Sequence, residues 1–347
     1  MSFVAETRVL SLGATLADLT ESIGFTSSQR TLTCGSVDDS LLVQVCATEV
    51  RLCEVLERPS SLNDAVSKAR ISTWLPPIDY GHIQVGAVDS GHVLVSFAKP
   101  ENMLVLLGLQ ESNSHRSLIA LKTVALESEL SCIAFSKMES SPGTREARNC
   151  NRNTNPGSQP SDEVLFVLGT YAPSVEIAGF CNGTFHRFAK AGLNDGNATP
   201  TDIGFCNFQE GRTSANQSDL NAGIDDDHPT NRGPAESVHL LFHSGFVRVL
   251  AGMRDGSILC YGWSQGQRFS ATRGCPLSTY KRQSPGSTFE EDTLSLIFHK
   301  RLGNSPVRLG TMTTGPTSGS VLALTDKAWI LQAQTSSYCF DCRAISL

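Results

Sequence analysis

The stretch VRVLAGMRDGSILCY, residues 247–261, contains two apolar runs separated by Arg254-Asp255-Gly256. Two apolar runs around an Asp-Gly turn predict a β-hairpin. The same pattern recurs at 41–55, 83–98, 164–180 and 320–334. Single strand-like runs lie at 2–12, 117–126, 130–137, 237–245 and 293–302. A chain built from so many short strands and polar turns is predicted to be all-β.

The spacing of the hairpins favours one all-β architecture. The centres of the predicted hairpins at 41–55 and 83–98 lie about 43 residues apart, within the range of roughly 40–50 residues per β-propeller blade. We therefore expect a β-propeller with WD40-like blades of four antiparallel strands, and a β-sandwich is the alternative. The predicted strands fill five or six blades. Residues 1–347 are accordingly interpreted as a partial propeller, an incomplete part of a longer protein.

Two segments interrupt the repeat. Residues 138–163 and 190–236 are rich in Asn, Gly, Ser, Pro and Asp. Such segments bury too little apolar surface to offset the entropy cost of ordering the chain. Both are predicted to be disordered inserts. Residues 60–70 are compatible with one short helix that decorates a loop.

Composition limits the functional classes. The formal net charge is −6 and charged residues make up 18% of the chain, which does not favour nucleic-acid binding by bulk electrostatics. The sequence contains no apolar run of about 18 residues, so no membrane partner is expected. Of the eleven cysteines, Cys46, Cys132 and Cys260 lie within apolar runs and are expected to be core residues.

No catalytic, cofactor-binding or metal-binding constellation is found in the sequence. Cys339 and Cys342 have the spacing of a zinc pair, but a structural zinc site needs four ligands and no second pair exists. The run Asp225-Asp226-Asp227-His228 lacks the alternating layout of a calcium loop. His239 and His243 lie in a strand-like run, where they are expected to be edge or core residues.

Several segments resemble one known family in the order in which they occur. They are FVAETRVLSL, LTESIGF, TLTCGSV, LLVQVCATEVRL, STWLPP, LSCIAFS, LFVLGTYAPSVEI, AGMRDGSILCY, GNSPVRLGTM and LALTDKAWIL. Together they resemble the second β-propeller of the family that contains damaged-DNA-binding protein subunit 1, splicing factor 3b subunit 3 and the cleavage and polyadenylation specificity factor A subunit. The early segments are closer to the first of these proteins and the late segments closer to the second.

The resemblance implies a non-enzymatic scaffold in the nucleus. Its expected partners are protein subunits of a splicing, 3′-end-processing or DNA-repair ubiquitin-ligase assembly, with nucleic acid contacted indirectly. One alternative is direct contact with single-stranded RNA or DNA, for which only TYKRQ (279–283) and FHKRL (298–302) provide basic residues near aromatics. A propeller hydrolase is a further alternative, although the predicted inner strands are apolar.

Tyr171 is the candidate protein-interaction residue. It lies at the predicted turn of LGTYAPS, where a large aromatic side chain is difficult to bury. Exposed tyrosines are enriched at protein-interface hot spots. The alternative is that the ring folds back onto its own blade. The family that this sequence resembles also has an aromatic residue just beyond the corresponding glycine.

Overall fold

A computed structural model describes most of the predicted strands. The described residues are 31–38, 41–55, 69–89, 91–112, 115–137, 164–181, 183–193, 233–243, 246–263, 292–311, 320–333 and 340–345. All the helix and strand assignments within these ranges are β-strands, and none is a helix. None of these ranges forms a helix long and apolar enough to cross a membrane.

Within the described ranges, the strands form five four-stranded antiparallel units, called blades 1 to 5. Blade 1 contains β1 (Thr31–Asp38), β2 (Leu41–Cys46), β3 (Val50–Val55) and β4 (Ala69–Trp74). Blade 2 contains β5 (Ile83–Asp89), β6 (His92–Phe97), β7 (Met103–Ser112) and β8 (His115–Ala125). Blade 3 contains β9 (Leu130–Lys137), β10 (Val164–Thr170), β11 (Ser174–Cys181) and β12 (Thr184–Gly192).

Blades 4 and 5 follow the same order with one addition. Blade 4 contains β13 (Ser237–His243), β14 (Phe246–Gly252), β15 (Ser257–Gly262) and β17 (Ser295–Arg301). Blade 5 contains β18 (Arg308–Thr311), β19 (Ser320–Leu324), β20 (Ala328–Ala333) and β21 (Phe340–Ile345). The short strand β16 (Asp292–Thr293) pairs in parallel with β12 of blade 3 before the chain returns to blade 4. Trp263 reinforces this crossing, because its Nε1–H donates to Asp292 Oδ2 at 2.9 Å.

The first strand of each blade faces a common channel. β1, β5, β9, β13 and β18 contact one another in that order. Residues of all five strands line one cavity of about 1090 Å³. The inner strands of blades 3 and 4 also form a short parallel pairing, Leu240 with Ser136 and Leu241 with Lys137. Four-stranded sheets arranged radially around a channel are the arrangement expected for propeller blades.

The core lies between neighbouring blades, so a middle strand is buried on both faces. In β6, Val93 and Val95 pack in the cluster shared by blades 1 and 2, whereas Leu94 packs in the cluster shared by blades 2 and 3. Two further clusters join blade 3 to blade 4 and blade 4 to blade 5. Burial on both faces explains the nearly continuous apolar runs of the sequence, because neither side of these strands meets water.

The Asp-Gly turn of the first quoted stretch needs glycine for two reasons. Gly256 has a φ of 86°, a left-handed conformation that costs other residues about 1–2 kcal/mol. A Cβ at this position would also lie 2.0 Å from the carbonyl oxygen of Gly303. Asp255 completes the turn, because its Oδ1 accepts the Ser257 N–H at 2.9 Å.

The predicted hairpins are confirmed, whereas the helix predicted at 60–70 and the bounds of the second predicted insert need correction. All five predicted hairpins form antiparallel pairs, and the predicted strands at 117–126, 130–137, 237–245 and 293–302 are present. The strand predicted at 2–12 lies outside the described residues. In the predicted helix 60–70, Ala69 and Arg70 belong to β4 and the preceding residues are outside the described ranges. FHKRL is part of β17 and its neighbouring turn.

The second predicted insert, 190–236, is too long at both ends. β12 continues to Gly192, and Leu193 and Ala235 are buried. The polar and glycine-containing composition concealed the alternation of Ala189, Ala191 and Leu193, which pack between blades 3 and 4. Residues 194–232 and the whole of 138–163 lie outside the described residues, so disorder there stays a prediction.

Candidate functional site

One face of the propeller collects the connections between blades. The five inner strands begin at this face, which we call the upper face. Because each blade is an antiparallel meander, the turn between its second and third strands lies at the same end. The described segments of the upper face are 47–49, 75–82, 98–102, 126–129, 171–173, 193, 233–236, 253–256, 302–307 and 325–327.

The upper face carries the exposed large apolar side chains of the described residues. They are Leu75, Ile78, Tyr171 and Leu324. Leu75 and Ile78 lie in the connection between blades 1 and 2, Tyr171 lies in the β10–β11 turn, and Leu324 precedes the β19–β20 turn. Single exposed apolar residues are ordinary on proteins. Their concentration on one face of a rigid scaffold is typical of an interaction surface.

Tyr171 occupies the turn that the sequence predicted. Its side chain is 56% exposed, so more than half of its surface is accessible to solvent. Its backbone N–H donates to the Glu129 carbonyl at 2.9 Å. The Leu193 N–H donates to the Pro173 carbonyl at 2.8 Å on the other side of the turn. The turn is therefore bound to the neighbouring connections through its backbone.

A buried polar network below this turn restrains it further. The hydroxyl groups of Thr170 and Ser174 lie 2.8 Å apart across the turn. Ser174 Oγ donates to Glu176 Oε1 at 3.4 Å. Glu176 is buried and forms ion pairs with Lys190 at 3.0 Å and Arg187 at 3.4 Å. A buried carboxylate needs such partners to offset its desolvation, and here they brace the strands that present Tyr171.

The Arg187 guanidinium connects this network to the blade 2–3 connection. It contacts Glu127 Oε1 at 2.7 Å. The hydrogen bond and the charge of Arg187 lower the pKa of the Glu127 carboxyl. Glu127 is exposed, so solvent screens this pair and it contributes little to stability.

Charged residues surround the mouth of the central channel. Glu236 forms ion pairs with Arg254 at 3.1 Å and with Arg308 at 3.4 Å. Ser237 joins the inner strands of blades 4 and 5, because its hydroxyl donates to the Val307 carbonyl at 2.7 Å and accepts the Leu309 N–H at 3.1 Å. Tyr171, Glu236 and Arg308 all line the channel cavity.

Cys132 faces this channel but is not an activated nucleophile. Burial raises the pKa of its thiol to about 12, and its Sγ donates to the Ala235 carbonyl at 3.4 Å. Reactive cysteines have lowered pKa values because the thiolate is the nucleophile. A Cβ on Gly169 would lie 2.5 Å from the Cys132 sulfur, so the two residues form a tight packing contact.

The other cysteines and histidines singled out from the sequence are distributed as follows. Cys46 and Cys260 are buried core residues, as predicted, and Cys342 is buried in β21. Cys339 and the run 225–228 lie outside the described residues. His239 and His243 are buried in β13, as expected. Within the described ranges, no three His, Cys, Asp or Glu side chains are grouped closely enough to hold a metal ion.

Sequence reasoning did not single out Leu75 and Ile78. The signal that would have found them is the run LPPI (75–78). Two consecutive prolines prevent the flanking apolar residues from continuing a central strand. Apolar residues beside such a break have no predicted core position, and this makes them candidates for an exposed interaction site.

Blades of four strands, arranged in sequence order around one channel, define this chain as a β-propeller. Residues 1–340 match the model of the RSE1/DDB1/CPSF1 second beta-propeller family, and the chain belongs to that family. This confirms the fold class and the resemblance inferred from the sequence.

Among curated proteins, the chain is similar to DNA damage-binding protein 1 of Oryza sativa subsp. japonica. The two are 28% identical over 143 residues. The matched stretch is 41% of this chain and spans 12% of the length of the rice protein.

Proposed function

We propose that this chain is a non-enzymatic scaffold that docks protein subunits of a nuclear assembly on its upper face. The assembly is of the pre-mRNA splicing, 3′-end-processing or DNA-repair ubiquitin-ligase type. Nucleic acid is contacted indirectly through the other subunits. The proposal depends mainly on one observation, the exposed ring of Tyr171 on a turn that is fixed from both sides.

The fixed turn favours protein binding for a physical reason. Tyrosine contributes a large contact area with few rotatable bonds, and a turn already ordered in the free protein loses little entropy on binding. Membership of the RSE1/DDB1/CPSF1 family and the similarity to a protein named for binding damaged DNA support a nuclear assembly.

Glu236, His239 and Arg308 line the channel, but the part of the lining that β9 contributes favours a scaffold over a hydrolase. The lining contributed by β9, for example, is Ser131, Cys132, Ile133, Ala134 and Phe135. General acid–base catalysis requires positioned titratable groups near their working pKa. The thiol in this series has a pKa of about 12, which leaves it protonated at neutral pH.

The test is recovery of partners by the Tyr171→Ala variant. The wild-type chain and the variant are immobilised and incubated with nuclear extract treated with nucleases, and the bound proteins are quantified by mass spectrometry. Loss of a hot-spot tyrosine is expected to weaken the anchored subunit by about 2 kcal/mol, or about 30-fold. Tyr171→Phe is the matched control, because it keeps the ring and should retain most of the binding.

Circular dichroism must show that both variants are folded. Because the side chain is largely exposed, we expect the thermal transition of Tyr171→Ala to match that of the wild type. Equal recovery of every subunit by the folded Tyr171→Ala variant would contradict the docking role. Recovery seen only in a parallel extract that was not treated with nucleases would instead favour direct contact with RNA or DNA.

A further inference from the structure

The connection between blades 1 and 2, residues 75–82, carries two apolar side chains into solvent. We call it the Ile78 loop. Leu75 is 66% exposed and Ile78 is 101% exposed. Burying an apolar side chain of this size stabilises a folded protein or a complex. In the described structure the free chain gains almost none of this from Ile78.

The Ile78 loop is ordered although its apolar residues face solvent. The Tyr80 N–H donates to the Pro77 carbonyl at 3.0 Å, which closes a turn around Ile78. The Tyr80 ring packs edge-on against Phe97 of blade 2, with ring centroids 5.2 Å apart. The Ile83 N–H donates to the Ala47 carbonyl of blade 1 at 2.8 Å. These contacts fix both neighbouring blades to the loop, so a partner would meet a preorganised surface.

The charges beside this loop are mainly negative. Asp79 and Glu101 are exposed and form no ion pair with any residue in the described ranges. The neighbouring ammonium group is that of Lys99, whose Cβ lies 3.6 Å from the position of a Cβ added to Gly81, and the exposed His82 ends the loop. Two carboxylates against one ammonium group favour a partner that brings lysine or arginine, and they repel an acidic one.

The Ile78 loop is continuous with the turn that carries Tyr171. Residue 81 adjoins the 98–102 turn through Lys99. In that turn, the Asn102 carbonyl accepts a hydrogen bond from the Leu126 N–H at 2.7 Å. The connection 126–129 then accepts the Tyr171 N–H. The two apolar anchors therefore belong to one side of the upper face, separated by the 98–102 and 126–129 connections.

We propose that the Ile78 loop is a second protein-docking site, and that it binds a partner segment in which an aliphatic or aromatic side chain lies next to lysine or arginine. The apolar side chain of the partner packs on Ile78 and Leu75. The basic side chain pairs with Asp79 and Glu101. The inference deepens the proposed function by stating the chemistry of a partner, and it rests on the same upper face.

The probe is a phage-displayed library of random 12-residue peptides, selected on the full chain. Enriched peptides are expected to carry an apolar residue beside Lys or Arg. Synthesised peptides are then titrated by fluorescence anisotropy against the wild type and Ile78→Ala. Removing the exposed Ile78 side chain should weaken binding at least tenfold, which corresponds to the energy of a strong interface contact.

Two controls distinguish binding at this site from nonspecific hydrophobic binding to the upper face. Leu324→Ala removes an exposed leucine of the same face on blade 5, and it should leave the peptide affinity unchanged. Asp79→Asn combined with Glu101→Gln keeps the size of both side chains. It should reduce the salt dependence of binding, because the charge attraction that salt screens is lost.

The proposal is overturned if no peptide is enriched, if the enriched peptides are acidic, or if Ile78→Ala binds them as tightly as the wild type. It is also overturned if sedimentation shows self-association that Ile78→Ala abolishes, because the occupant would then be a second copy of the chain. The Tyr171→Ala recovery experiment is independent of these peptides, so failure of the proposed function is distinguishable from failure of the second site.

Discussion

Phe166 offers the strongest single test of the propeller core. Its side chain is fully buried in the cluster between blades 2 and 3. Its ring centroid lies 6.5 Å from Phe135, 5.9 Å from Phe180 and 6.4 Å from Phe185. Truncation to alanine removes the buried ring and leaves a cavity, which costs about 3–5 kcal/mol for phenylalanine. The loss of three ring contacts places the expected cost towards the upper end of this range.

We therefore expect Phe166→Ala to lower the free energy of unfolding by about 4–5 kcal/mol, at the upper end of the range for this substitution. Guanidinium chloride unfolding followed by tryptophan fluorescence measures the change as a lower midpoint with an unchanged slope. Phe166→Leu is the matched control and should cost less than about 1.5 kcal/mol, because it conserves most of the volume. A loss below about 2 kcal/mol for Phe166→Ala would show that blades 2 and 3 do not share a closely packed core.

Three further predictions concern single contacts. Gly256→Ala should lower the free energy of unfolding by more than about 2 kcal/mol, because the added Cβ collides with the Gly303 carbonyl and the backbone φ is positive. Gly91→Ala is the control: its φ is 92° but the space around it is open, so it should cost only about 1 kcal/mol. Equal thermal shifts of the two variants would refute the steric argument. Ser237→Ala should lower the free energy of unfolding by about 1–3 kcal/mol, since it removes two hydrogen bonds between blades 4 and 5. Amide hydrogen exchange in β18 should accelerate. Unchanged exchange would argue against a connection between the two blades through Ser237. The Cys132 thiol keeps its proton up to a pKa of about 12 when folded, whereas the unfolded thiol loses it near 9, so its contribution to stability is complete below pH 9 and falls as the pH rises towards 12. Cys132→Ala should have a shallower alkaline decline in urea unfolding than the wild type, and identical pH profiles would contradict the burial of this thiol.

Much of the fold was predictable because its signals are local. The hairpin around Arg254–Gly256 combines apolar runs with a turn that only glycine tolerates. The exposure of Tyr171 was also predictable, since Pro173 and its neighbours mark the bend. The end of the second insert was not, because Ala189, Ala191 and Leu193 become core residues only when blade 4 packs against them.

Within the Ile78 loop, composition does not distinguish the exposed residue from the packed one. Ile78 and Tyr80 are two residues apart, and both have side chains with a large apolar surface. Tyr80 packs on Phe97, whereas Ile78 faces solvent. The difference depends on the position of blade 2, which the local sequence does not contain.

The sequence by itself determined the strands, their turns and the repeat of the blades, because alternation and turn chemistry act between residues close in the chain. Only the tertiary structure decided which polar groups enter the core. Arg248 is fully buried, with its guanidinium 5.3 Å from the Phe246 ring and 5.5 Å from the Phe340 ring of blade 5. An arginine in a strand is ordinarily a surface residue. Its burial here depends on an aromatic ring that lies far along the chain and reaches it only when the neighbouring blade packs in place.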